Sequence, residues 1–213
     1  MAQVDEIYNF LIDNYELNTP IFCSDLDILG MKQSSICQQL KKLTEDGRLK
    51  CFDAGIYYLP KKSIFRSGST LSIDEVIRKK YLIEGGLRCG YISGIMFANQ
   101  LGLTTQGSSM YEIYTNKATT NYKLVLLASF RVIIRKPCYI INEQNASTLQ
   151  FLDLLKNVVD ISEIEGAKLK KRLFCYMMKK GISFDSMKPY LRYYPKSIYR
   201  NMYEVGLMNG VSA

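Results

Sequence analysis

The sequence contains no histidine. That absence excludes Ser-His and Cys-His nucleophilic pairs, His-ligated zinc and imidazole acid–base chemistry. Six cysteines are present (23, 37, 51, 89, 138, 175), never closer than 14 residues, so there is no CxxC metal or redox motif. No Walker loop and no GxGxxG occurs. The longest unbroken apolar run, 124–128, is far too short for a membrane span, and no membrane partner is expected. The amino terminus is acidic within six residues and lacks an apolar core and a cleavage site, unlike a signal peptide. Scattered, unpaired thiols suit a reducing compartment, so the expected location is cytoplasmic.

What is present is an ordinary globular composition: 213 residues, 47% hydrophobic and 23% charged. A chain of this length buries roughly 70% of its unfolded surface and needs neither metal nor disulfide to fold. The net charge of +8 is unevenly spread. Residues 1–29 hold six acids and no Lys or Arg; the segments 30–66, 67–145 and 146–213 carry nets of +5, +4 and +5. A basic working surface behind an acidic first helix points to nucleic acid, the alternative being a basic protein with no polyanion partner.

Val4, Ile7, Tyr8, Leu11, Ile12 and Tyr15 follow a helical period, and Thr19-Pro20 breaks it. The apolar pair Ile21-Phe22 precedes a brief helix over 24–29, and Gly30 turns the chain into a third helix over 33–46. That helix buries Ile36, Leu40 and Leu43. Two short strands, 48–52 and 56–59, joined by Asp53-Ala54-Gly55, complete a winged helix-turn-helix plan. Such a fold lays its third helix in the major groove. Ser34, Ser35, Gln38, Lys41 and Lys42 occupy the side opposite Ile36, and Lys32 and Gln33 stand at the helix start. Gln suits adenine edges, Ser several bases, and Lys phosphates or guanine. Lys50, Lys61 and Lys62 on and beyond the wing add phosphate contacts. A merely solvated face is the alternative for all ten.

The middle segment opens with a Ser72-Ile73-Asp74-Glu75 capping box and a helix that Gly85-Gly86 ends. A second helix is framed by Ser93 and Gly102, with 90–94 read as a turn. Strands follow at 110–115, 123–127 and 130–135, giving a local antiparallel sheet.

The wing Gly55-Ile56-Tyr57-Tyr58-Leu59-Pro60-Lys61, then Ser93-Gly94, Ala98-Asn99-Gln100-Leu101-Gly102-Leu103-Thr104-Thr105-Gln106 and Tyr114-Thr115-Asn116 resemble the AbiEi-type antitoxins in order and spacing. These are the DNA-binding halves of type IV toxin–antitoxin and abortive-infection systems, and the similarity is greatest to their shorter branch. It covers about residues 20–142. The resemblance implies that 33–42 read the operator, and that the region beyond the winged helix counteracts a nucleotidyltransferase toxin without requiring a stable complex. The 98–106 run is expected to be structural, with Gly102 a left-handed terminator and Asn99 and Gln106 bonding backbone. The third helix carries no arginine, the commonest guanine reader, so the operator sequence is not legible.

In the last third, 146–159 forms an apolar helix. After Gly166, Lys168, Lys170, Lys171 and Arg172 crowd the first turns of the next. Cations there oppose the helix dipole, which points to an anionic partner; the resemblance to the antitoxins implies that the same basic region is the antitoxin surface. Arg192, Lys196 and Arg200 interleave with Tyr190, Tyr193, Tyr194, Tyr199 and Tyr203, suiting either single-stranded nucleic acid or half-buried packing.

Nucleotidyltransferase chemistry needs Gly-Ser and, about ten residues on, Asp-x-Asp for two metal ions. Asp25-Leu26-Asp27 has no Gly-Ser before it, and Gly68-Ser69 runs into a helix cap. The sequence therefore predicts an α+β protein in three parts. These are a winged helix-turn-helix domain (1–66), a small α+β domain (67–142) and a helical basic region (143–213). Its expected partners are double-stranded operator DNA, a cognate nucleotidyltransferase-type toxin and a possible second copy in a homodimer. No catalytic residue, metal or cofactor is expected. A regulator without an antitoxin role, its tail serving dimerisation or protein contacts, is the alternative.

Overall fold

A computed structural model describes residues 2–62 and 68–208. The chain is mixed α+β and divides into two compact units, Met1–Lys80 and Tyr81–Ala213. The boundary expected after residue 66 lies outside the described residues. Residues 68–80 pack within the first unit, and 81–142 share one hydrophobic core with 143–208. Two units thus replace the three expected domains.

In the first unit α1 (Ala2–Asn14) buries Ile7 and Leu11, while Ile12, expected on the same apolar stripe, is half exposed. Strand β1 (Ile21–Phe22) leads directly into a 3₁₀ turn, Cys23–Asp25, in place of the helix expected over 24–29. The polar residues Ser24, Asp25 and Asp27 face water there, with only Leu26 and Ile28 buried, so no continuous stripe supports a longer helix. Helix α2 (Gln33–Glu45) buries Ile36, Leu40 and Leu43 against α1, as its periodicity predicts. Strands β2 (Lys50–Asp53) and β3 (Ile56–Tyr58) form a hairpin whose turn uses Gly55 at φ 76°. The sheet order is β1-β3-β2, all antiparallel, with a bulge between Cys51 and Asp53.

The thiols are not all free. Cys23 and Cys37 form a disulfide that ties the 3₁₀ turn to α2, against the expectation of six unpaired cysteines. Spacing concealed the pair, because the chain folds back between them and sets their Cα atoms 6.2 Å apart.

Residue 69 is bonded to the hairpin. The Lys50 ammonium and the Tyr58 hydroxyl both donate to the Ser69 carbonyl, at 3.2 and 3.1 Å. Helix α3 (Ile73–Ile77) is capped by the Ser72 hydroxyl, which accepts from the Asp74 amide. Glu75 pairs with Arg78, so no reciprocal capping box closes. Lys79 donates to the Pro20 carbonyl at 2.7 Å and lies over the Tyr15 ring, which joins this segment to the first unit. A π-turn, Arg78–Leu82, ends the helix before Gly85-Gly86, which instead turns a small hairpin, β4 (Ile83–Glu84) and β5 (Leu87–Arg88).

The second unit is built on β6 (Gly90–Ser93), β7 (Met110–Thr115), β8 (Lys123–Leu127) and β9 (Phe130–Arg135), in the order β6-β7-β9-β8. The last three have the expected bounds. The sheet is not wholly antiparallel: β9 returns from its hairpin with β8 and inserts beside β7, in parallel. Strand β6 occupies the segment read as a turn. A Cβ at Gly90 would fall 2.5 Å from the Tyr81 carbonyl oxygen and 2.8 Å from that of Tyr114, so this glycine permits close backbone approach. Helix α4 (Gly94–Gln100) ends with Gly102 at φ 67°.

Helix α5 (Ala146–Leu155) is buried on nearly every side, packing on β6, α4 and the later helices. It stops at Lys156, and α6 (Val158–Ile161) follows as a separate turn, so the expected helix over 146–159 is broken. Helices α7 (Gly166–Lys180), α8 (Phe184–Leu191) and α9 (Ser197–Glu204) complete the unit. Among the described residues no helix is long and apolar enough to cross a membrane.

The resemblance-bearing run 98–106 is held by its own polar bonds. The Asn99 carboxamide donates to the Thr104 carbonyl at 3.2 Å. Glu163 accepts from the Thr104 and Thr105 hydroxyls and the Thr105 amide, at 2.7–2.8 Å. These bonds depress the carboxyl below its ordinary range, the Thr105 amide contributing most.

Candidate nucleic-acid interface

Burial of Ile36, Leu40 and Leu43 turns the opposite side of α2 outward. Ser34, Gln38, Lys41 and Lys42 are exposed there, Lys32 is exposed at the amino-terminal cap, and Ser35 is half-buried. Gln33 differs. Although its surface is exposed, its carboxamide donates to the Cys23 carbonyl and lies 3.6 Å from Cys23 Sγ. Its amide group is thereby tied to the 3₁₀ turn.

The wing residues separate in the same way. Lys61 and Lys62 have exposed side chains, whereas Lys50 is half-buried and bonded to Ser69. Periodicity also places Glu45 on the outward face, at 180° from Ile36, and it is exposed. The helical wheel of the sequence carries that signal. Gln39 is buried with its carbonyl oxygen unpartnered.

An open apolar groove of about 730 Å³ runs between α2 and the hairpin, with Lys41 and Glu45 on one wall and Cys51 and Tyr57 on the other. The acidic first helix does not stand free either: Asp5 pairs with Arg48 at 2.8 Å, and Arg48 also reaches Asp46 at 3.1 Å.

No protein-family model and no curated protein matches this chain.

On α7 the expected anionic-partner residues divide between two sides of the helix. Lys168, Lys171 and Arg172 are exposed, whereas Lys170 is half-buried, over the Phe174 ring and against Gly206. The tyrosines of the tail divide as well. Tyr194 is buried and Tyr190 half-buried. Tyr193, Tyr199 and Tyr203 are exposed, with the Arg192 guanidinium over the Tyr193 ring.

A polar cluster missed by sequence reasoning lies inside the second unit. The Tyr91 hydroxyl donates to the Asp153 carboxylate, and Lys156 contacts the same carboxylate and donates to the Tyr114 hydroxyl at 2.9 Å. Burial first, then Asp153, pushes the Tyr91 phenol well up and the Tyr114 phenol up to about 12. Burial also raises the Asp153 carboxyl against the pull of Lys156. The same burial opposes charge on Lys156, but Asp153 and Tyr114 more than offset it and raise its pKa. An acid within Leu-Asp-Leu-Leu-Lys, in an otherwise apolar helix, was the available signal. Tyr91, Tyr114, Asp153 and Tyr194 are each under a tenth exposed, so the cluster locks strands to helices rather than facing a ligand. Among the described residues no group of three or more Cys, Asp or Glu is placed to hold a metal ion.

Proposed function

We propose that the chain binds double-stranded operator DNA through the outward side of α2 and represses its own operon. In this proposal it is the antitoxin of a type IV system, opposing a nucleotidyltransferase toxin without being an enzyme. The observation that carries the DNA-binding part is the pairing of buried Ile36, Leu40 and Leu43 with exposed Ser34, Gln38, Lys41 and Lys42. The element order supports it further. A helix, a short strand, a one-turn helix, a second full helix and a hairpin, with sheet order β1-β3-β2, is the arrangement expected of a winged helix-turn-helix. Base contacts fall to Gln38 and Ser34, and phosphate contacts to Lys32, Lys41, Lys42, Lys61 and Lys62. The antitoxin role rests on the resemblance of the wing and of residues 98–106.

Operator affinity measured against salt, on DNA from upstream of the gene, tests the first part. Lys41→Ala and Lys42→Ala should each lower the log–log slope by about one. Unchanged affinity and slope in the double variant would overturn the docking. Co-expression with the neighbouring gene tests the second part: rescue from a toxic neighbour supports it, and a harmless neighbour removes it.

A further inference from the structure

Basic side chains from two parts of the second unit converge on one pocket. Its volume is about 430 Å³, within the range of small-molecule sites. Arg172, Lys179 and Lys180 reach it from α7, and Arg88 reaches it from β5. No Asp or Glu lines it, and none of the four cations is ion-paired among the described residues. Four like charges around one cavity repel one another, and an anion bound between them would relieve that repulsion.

The pocket has a built floor. Tyr176 and Phe97 are buried there, edge to face at 5.3 Å. The Tyr176 hydroxyl donates to the buried Gln150 carboxamide at 3.0 Å, and Gln150 donates to the Ile92 carbonyl at 2.8 Å. These bonds fix the floor without using the cations. The mouth, by contrast, is exposed: Gln100, Arg172, Lys179 and Lys180 all face solvent. Two guanidinium forks and two ammonium groups suit the several oxygens of a phosphate better than a single carboxylate. Gln100 offers an amide donor and acceptor at the rim, and Leu101 an apolar edge. Polar recognition beside an aromatic-floored cavity fits a nucleotide more closely than bare phosphate.

We infer that the pocket of Arg88, Arg172, Lys179 and Lys180 binds a nucleotide phosphate, either of a free mononucleotide or of the phosphorylated end of a strand. The inference does not depend on DNA binding by α2, and the two sites can fail separately.

Calorimetric titration of the full chain is the test, with four probes: adenosine monophosphate, adenosine triphosphate, a 5′-phosphorylated hexanucleotide and inorganic phosphate. Saturable binding of a mononucleotide identifies a free ligand, and binding of the hexanucleotide alone identifies a strand end. In either case Arg172→Gln and Lys179→Gln should each weaken binding about tenfold. Both side chains are exposed, so their melting temperatures should match the parent, which separates lost binding from lost fold. Absence of binding by all four probes would overturn the site. So would binding indifferent to both substitutions, or nucleotides binding no tighter than inorganic phosphate.

Discussion

The Lys156 ammonium lies 2.5 Å from a carboxylate oxygen of Asp153, and that carboxylate has no exposure to solvent. Removing the lysine strands a buried charge. Lys156→Met should therefore destabilise the second unit by about 3–5 kcal/mol. Adding Asp153→Leu should recover only part of the loss, because it removes the uncompensated carboxylate but leaves the buried Tyr91 hydroxyl without its acceptor. Urea unfolding of the two single variants and the double variant reads this directly. A single-variant effect below about 1 kcal/mol would place the pair with surface ion pairs.

Glu163 makes the 98–106 run sensitive to acid. Its carboxyl is depressed by the Thr105 amide and the two threonine hydroxyls, so it is ionised in the fold at a pH where the unfolded chain begins to protonate. Stability from this group is complete above the ordinary carboxylate range and is lost as pH falls through the folded value. Amide exchange at Thr105 should rise selectively on acidification, and Glu163→Gln should show that higher exchange at neutral pH. Uniform exchange across the unit in both experiments would refute the clamp.

The Cys23–Cys37 bond closes a short loop, with a sequence separation of 14. Loop-closure entropy for that length corresponds to about 3 kcal/mol. Cys37→Ser should lower the stability of the first unit by that order, and thiol titration of unreduced, denatured parent should find Cys51, Cys89, Cys138 and Cys175 only. Six titrating thiols would show that the bond does not form.

Local signals were legible where neighbours in sequence are neighbours in space. Runs of apolar, β-branched and aromatic residues marked β7, β8 and β9, Gly102 marked the end of α4, and the period of Ile36, Leu40 and Leu43 oriented α2. Pairing over longer range was not. Strand β9 joins β7 in parallel although β8 lies between them in sequence, and no local pattern encodes that partner. Gly90 looks like a turn residue until the Tyr81 and Tyr114 carbonyls close on it from outside the segment. The basic pocket was hidden for the same reason: Arg88 and Arg172 meet only through the fold, and Lys170, their apparent companion in sequence, lies elsewhere.

Gln33 and Gln38 look alike in sequence and should behave differently. The Gln33 carboxamide is bonded to the Cys23 carbonyl, whereas that of Gln38 is exposed on the outward side. Gln33→Ala should cost about 1 kcal/mol of stability and leave operator affinity within about twofold. Gln38→Ala should leave the melting temperature alone and relax sequence preference at one base, costing about 1–3 kcal/mol of discrimination. The opposite pairing of effects would reverse the roles given to the two glutamines.

Glu45 places one negative charge on the side of α2 that Lys41 and Lys42 make basic. Against a duplex it faces phosphates, and at about 7 Å in water a unit charge pair is worth about 0.6 kcal/mol. Glu45→Gln should therefore raise operator affinity about threefold at low salt. The gain should shrink as salt rises, since screening falls on exposed charges first. Lys42→Ala should move affinity the other way with the same salt dependence. Combining the two substitutions should leave affinity below the parent's, because Lys42 contacts a phosphate directly whereas Glu45 acts on it from a distance. A Glu45→Gln variant that binds no more tightly at any salt would mean that the outward side of α2 does not approach the backbone of DNA.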